Sequence, residues 1–293
     1  MRPLLLALIV AVAPAAAATD PLAWAGAGTR ILAGAAVPRL ASSSPAVSLL
    51  EENLQLLSAA TGTDLLRQSD EAVLAISGSG PDEQWLWIVK GRFTPGAPLR
   101  RGIHALPETA RSGLRADSFA FVQADLLVAG SPEAVQGAMA SRAPAPESLL
   151  SAAARLRASR DVWLVSERPL SAGYRLPDRH LDGLFHGDLF QPVERVTAGV
   201  LWGTRLAVDI EAHTAAPADA EALVEVGTFL MQLMGAQAPA GGAAGLLAAV
   251  ENRRLTASGT VARFTCEVSE VALANWTRRA LSVRRVRGAA QVY

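Results

Sequence analysis

The sequence predicts an α+β fold: two similar units of antiparallel hairpins, with helices packed on one sheet face. Three observations carry this. Four pairs of apolar runs are separated by short turns bearing glycine or aspartate. Four helical segments open on a proline, at Pro45, Pro132, Pro146 and Pro217. One combination, a hairpin running into a proline-initiated helix, occurs twice. The 293 residues are 51% hydrophobic and 18% charged, enough apolar material for a packed core and too little charge for a disordered chain.

The chain opens with Arg2, an apolar run from Leu4 to Ala13, and the small residues Ala16, Ala17 and Ala18. Positive charge, apolar core and cleavage site in that order predict a signal peptide over residues 1–18 and a periplasmic or secreted product. The run is too short to span a bilayer, and no cysteine follows the cleavage region to carry a lipid anchor. Ala222–Met234 is the most apolar later stretch, but it contains Glu225 and Gln232, so no transmembrane helix is expected. Lys90 is the only lysine, and the arginine and alanine bias fits a GC-rich bacterial genome.

The first α+β unit is predicted over residues 19–143. Ser44-Pro45 caps a helix with Leu50, Leu54 and Leu57 on one stripe, and Gly62 stops it. Glu71–Ser77 and Trp85–Phe93 flank Gly78-Ser79-Gly80-Pro81 as a hairpin. Ser118–Gln123 and Leu126–Ala129 form a second hairpin, turning at Ala124-Asp125, and Ser131-Pro132-Glu133 starts the next helix. The second unit is predicted over residues 144–277. A helix from Pro146 to Ala158 leads to a strand at Asp161–Glu167. Val196–Trp202 and Arg205–His213 form a hairpin about Gly203-Thr204. A helix from Pro217 to Met234 carries the stripe Leu223, Val226, Leu230, Leu233 and Met234. Arg254–Ala257 and Val261–Val268 repeat the hairpin about Gly259-Thr260. The two hairpin-plus-helix passages, aligned on Pro132 and Pro217, suggest an internal repeat of ferredoxin-like or related plan. Residues 278–293 form an arginine-rich tail.

Lys90-Gly91-Arg92-Phe93 ending a strand, and Leu127-Val128-Ala129-Gly130-Ser131-Pro132-Glu133-Ala134-Val135 joining a strand to a helix, carry a resemblance. In these features and its export signal the chain resembles a group of uncharacterised secreted bacterial proteins. The resemblance implies a duplicated α+β (ferredoxin-like) plan and supplies no catalytic residues. The chain departs from the group at Thr94–Arg101, short and interrupted by Pro95 and Pro98, where relatives carry a longer helix.

Twenty-seven basic residues balance 27 acidic ones, which argues against a nucleic-acid partner. One cysteine excludes a disulfide framework. Cys266 shares a strand face with Phe264 and Val268 and reads as a small buried residue. Gly26-Ala27-Gly28 lacks the third glycine of a dinucleotide loop, and Lys90 follows no phosphate loop, so no cofactor is expected. His104 and His213 stand alone. Glu51-Glu52 and Asp82-Glu83 read as solvated pairs. Trp85 and Trp87 share one strand face: core if buried, a binding face if exposed.

Metal-capable residues crowd only between Asp178 and Asp188, where His180, Asp182, His186 and Asp188 could bind a divalent ion, in a spacing that matches no zinc signature. Arg278, Arg279, Arg284, Arg285 and Arg287 form an acid-free cluster suited to an anionic surface. The function read from these residues is a non-enzymatic exported binding or interaction protein, with an envelope protein or anionic surface as the expected partner. The alternative is a metal-dependent hydrolase on the His180/Asp182/His186/Asp188 cluster.

Overall fold

A computed structural model describes residues 20–43, 54–93, 102–140, 143–168, 190–237 and 250–275. A 3₁₀ turn at Pro21–Trp24 leads into β1 (Thr29–Ala36). Three short helices follow: α1 (Val37–Leu40), α2 (residues 54–61) and α3 (Leu65–Gln68). Then come β2 (Ser69–Ser77), β3 (Gln84–Gly91), β4 (His104–Ala105) and α4 (Glu108–Leu114). The hairpin β5 (Ser118–Gln123) and β6 (Leu126–Gly130) runs into α5 (Pro132–Met139) and α6 (Glu147–Ser159). The later part holds β7 (Val162–Ser166), β8 (Val193–Leu201), β9 (Arg205–Thr214), α7 (Pro217–Gln237), β10 (Val250–Ser258) and β11 (Val261–Ser269). Helical residues 270–275 follow β11.

The architecture is α+β, and the sheet is antiparallel throughout. Its eleven strands run β10-β11-β9-β8-β7-β1-β2-β3-β6-β5-β4. The boundary expected at 143/144 therefore does not divide the sheet, because β1 pairs with β7. One row of directly opposed residues crosses every strand: Leu255, Phe264, Ile210, Ala198, Leu164, Ala33, Leu74, Trp87, Ala129, Phe119 and His104. Residues opposed in this way share a sheet face, here called face B.

Helices cover both faces of the first strands, not one as expected. On face A, Leu32, Val73, Ile88, Val128 and Trp163 pack with Val135 of α5 and Leu149 and Ala153 of α6. On face B, Ala72, Val89, Leu127, Ala129 and Phe119 pack with Val37, Leu54, Leu57, Leu65 and Leu114 from α1 to α4. The cause is in the residues. All five positions of β6 are buried, which requires a layer on each side.

Beyond β7, face A becomes polar. Its row continues from Trp163 through Gly199, Asp209 and Thr265 to Arg254. Arg160 lies over Gly199 and donates from Nε to Asp209 at 2.6 Å; Arg263 pairs with Glu211 beside it. Among the described residues, the helix of this part, α7, covers face B. Gly227 of α7 approaches so near Leu255 of β10 that a Cβ would lie 2.7 Å from Leu255 Cδ2.

Partly buried ion pairs join distant elements. Asp161, 2% exposed, accepts from Arg39 Nη1 of α1 and, at 2.7 Å, from the Trp202 backbone N–H after β8. Arg157 of α6 bridges Glu71 at 2.7 Å and Asp20 at 2.8 Å. Burial pushes the Glu71 carboxyl up, while Arg157 acts in the opposite direction.

Candidate functional site

The chain between the 3₁₀ turn and β1 is Gly26-Ala27-Gly28, too small to fill the space it crosses. Side chains of similar size face it. Ala134, Gly137 and Ala138 of α5 recur at i, i+3 and i+4 and so share one helix face. Between these walls and the sheet lies a cleft of about 480 Å³, within the ordinary range of small-molecule sites. Ala75 and Leu86 are among its sheet residues, and Trp24, Ser77, Gln84 and Glu133 also line it. Closure on the far side is by backbone: Gly26 bridges Pro144, and the Ala145 N–H donates to Ala25 O at 2.8 Å. A Cβ on Gly26 would meet nothing within 4 Å, so the space is open and not taken up by neighbouring side chains. Gly26-Ala27-Gly28 lacks the spacing of a dinucleotide loop. Its smallness, matched by the alanine-rich α5, was the signal available.

A second, more polar cleft of about 370 Å³ adjoins at Gln84 and includes Trp85, Arg111, Arg115, Asp117 and Ser131. Glu83 is its anchor. It accepts from Trp85 Nε1 at 2.7 Å and from Arg168 Nη1 at 2.7 Å, with Arg115 Nη1 at 3.5 Å. The Trp85 hydrogen bond and the two guanidinium groups hold this carboxyl below its ordinary range against a smaller effect of burial. The Asp82-Glu83 pair expected to be merely solvated is thus structural at Glu83. Arg115 stacks on the Trp85 indole with Cζ 4.7 Å from the ring centroid.

The two tryptophans on one strand face divide. Trp87 packs with the face B core and donates from Nε1 to Leu114 O at 3.0 Å. Trp85 stands half-buried in the polar cleft. Cys266 is buried, and burial pushes its thiol up, which disfavours the thiolate that nucleophilic chemistry needs. His213 is not isolated. Its Nδ1 lies 3.4 Å from Arg195 Nη2 and its Nε2 3.5 Å from Glu211. Burial, and then Arg195, push its pKa down. His104 stacks against Phe119 with ring centroids 5.3 Å apart.

His180, Asp182, His186 and Asp188 lie outside the described residues, as do Arg278, Arg279, Arg284, Arg285 and Arg287 and the leader at 1–18. Among the described residues no three metal-capable side chains converge, and no helix is long and apolar enough to cross a membrane.

No family model matches the chain, and no curated protein matches its sequence. Among solved structures it is similar to crystal form I of TP0453, a Treponema protein, with a TM-score of 0.50 at 10% identity over 88% of this chain and 97% of that one. Crystal form III of the same protein gives a TM-score of 0.48 at 9% identity, covering 89% and 98% of the two chains. At such identity the likeness is one of fold.

Proposed function

We propose that this chain is an exported, non-catalytic binding protein whose small ligand enters the 480 Å³ cleft between the 3₁₀ turn, the sheet and α5. The cleft is the observation that carries the reading. Its wall is built of alanine, glycine, Trp24 and Leu86, with a few polar groups at Ser77, Gln84 and Glu133. That mixture suits a mainly apolar ligand oriented by a small number of hydrogen bonds. Among the described lining residues, Glu133 is the one ionisable side chain, whereas acid–base catalysis uses groups of differing protonation acting together. Export rests on the leader pattern of Arg2, Leu4–Ala13 and Ala16–Ala18.

We also read the two flanks of the sheet as copies of one α+β unit. Outward from the β1/β7 pair the orders are β1-β2-β3-β6-β5, with the two-residue β4 added at the edge, and β7-β8-β9-β11-β10, the fourth and fifth strands of each flank in swapped order. This supports a repeat frame different from the Pro132/Pro217 alignment. The counterpart of α7 becomes α4, since each follows the third strand of its flank and packs on face B.

The test is native mass spectrometry of the protein purified from its own host. A bound molecule is expected, recovered chemically unchanged. Gly26→Leu, which places a side chain into open space without a backbone clash, should abolish its retention while leaving the melting temperature near that of the parent. Equal retention by that variant, or conversion of the molecule during incubation, would overturn the reading.

A further inference from the structure

We propose that the cleft beneath Arg111 and Arg115 is a second binding site, for the oxyanion of a small soluble ligand: a carboxylate or a phosphate group. The two arginines stand four positions apart, Arg111 in the last turn of α4 and Arg115 at its C-cap, and both line the same cleft. Like charges so placed repel and weaken the helix that carries them. Arg115 adds a second unfavourable feature. It closes α4 in the left-handed region, at φ 49° and ψ 43°, where glycine or asparagine is the ordinary residue. Local contacts occupy only part of the pair: Arg115 meets Glu83 at 3.5 Å and rests on Trp85, while the terminal nitrogens of Arg111 make no hydrogen bond among the described residues. An anion held between the two turns the remaining repulsion into charge-assisted bonds.

The surroundings orient both groups. Arg111 donates through Nε to Leu106 O at 2.8 Å, and its terminal nitrogens make no hydrogen bond among the described residues. Arg115 rests on the Trp85 ring and remains 65% exposed. The indole is itself fixed by its bond to Glu83. Ser131 lines the same cleft; its Oγ accepts the Ala134 N–H at 3.1 Å, so its hydroxyl proton is a third donor. Two acids are near. Glu83 is held by Arg168 at 2.7 Å and reaches Arg115 only at 3.5 Å, so it offsets one of the two arginines in part and leaves Arg111 untouched. Asp117, also in the lining, opposes an anion and sets a sign for the test.

The full mature chain is titrated with inorganic phosphate and, separately, with succinate at constant ionic strength. The readout is the indole N–H resonance of Trp85, assigned by its loss in Trp85→Phe. A saturable shift is expected with one of the two, and the tighter names the ligand class. Arg111→Gln and Arg115→Gly should each weaken binding by about tenfold or more, the scale of one charge-assisted hydrogen bond. Glycine is chosen at 115 because it accepts the left-handed backbone. Asp117→Asn should tighten binding. Thermal melts confirm that each variant is folded. The proposal is overturned if neither anion gives a saturable shift into the millimolar range, if sodium chloride reproduces it, or if folded arginine variants bind as the parent does. None of these outcomes depends on whether the 480 Å³ cleft holds a ligand.

Discussion

Asp161 joins three parts of the chain through one side chain and its backbone. The carboxylate takes Arg39 from α1 and the Trp202 N–H from the loop after β8, while its own N–H and C=O bond to Val200 O and the Ala36 N–H. Nothing in Arg160-Asp161-Val162 announces this, because the partners lie 122 and 41 residues away. Removing one partner from a buried charged group leaves the other groups without their counterpart. Asp161→Ala should therefore cost about 1–3 kcal/mol of unfolding free energy in urea titration, chiefly by leaving the Trp202 N–H without its acceptor, since Arg39 is 68% exposed and returns to water. Asp161→Asn, which keeps an acceptor for Trp202, should cost less. His213 makes a different prediction, one of pH. Its pKa is lowered in the folded state, so above its ordinary value near 6.5 it is neutral whether folded or not. As pH falls below 6.5 the unfolded chain takes a proton that the folded chain resists, and stability falls until the folded pKa is passed. Glu71, raised by burial, contributes in the opposite direction at lower pH. A difference between variant and parent isolates the histidine. His213→Gln should gain stability relative to the parent as pH drops from 7 towards 5, and a pH-independent difference would contradict the assignment.

At the scale of elements, legibility followed burial pattern. Strands with a turn signal and β-branched residues, such as β5, β6, β9 and β11, stood out, as did helices opened by Pro132, Pro146 and Pro217. The short elements α1, α3, β4 and α4 were missed, and so was the full-length strand β1, whose sequence Thr-Arg-Ile-Leu-Ala-Gly-Ala-Ala has few of the residues that favour strands. Its smallness has a structural cause. Gly34 lies directly opposite Trp163, and a Cβ at position 34 would collide with the indole ring. The large residue on β7 and the absent side chain on β1 are thus one packing decision divided between strands 129 positions apart in the chain, visible only once the pairing is known. Gly34→Ala should destabilise by about 1–3 kcal/mol, the range for overpacked cores, measured by denaturant titration. Trp163→Leu should relieve most of that penalty in the double variant. Additive losses would show that the two positions do not share their space. The 480 Å³ cleft was hidden for a similar reason: small residues on Gly26–Gly28 and on α5 mean little until the fold sets them face to face.

At the scale of the whole molecule, the sequence supported an α+β chain of repeated hairpins but placed a boundary where the sheet has none. The repeated hairpin-plus-helix design sets that boundary near Ala143-Pro144-Ala145-Pro146. In the structure Ala145 is buried, its N–H bonds to Ala25, and Gly26 bridges Pro144. The joint is also apolar. Trp163 and Val165 of β7, with Leu149, Ala152 and Ala153 of α6, belong to the same core as Leu32, Val73 and Ile88. A cut at 143/144 would separate residues of one core and expose the hydrogen-bonding edge of β1. Exposed strand edges and bare apolar surface favour aggregation over independent folding. The chain should therefore unfold as one cooperative unit despite its length. In differential scanning calorimetry of residues 19–293 the calorimetric and van't Hoff enthalpies should agree. Residues 19–143 and 144–277 expressed apart should each lack a sharp transition, and mixing them should restore one if β1 and β7 can re-pair. Two separate melts in the full chain, or a cooperative melt from either piece alone, would mean that the β1/β7 pair joins finished domains instead of completing a shared core.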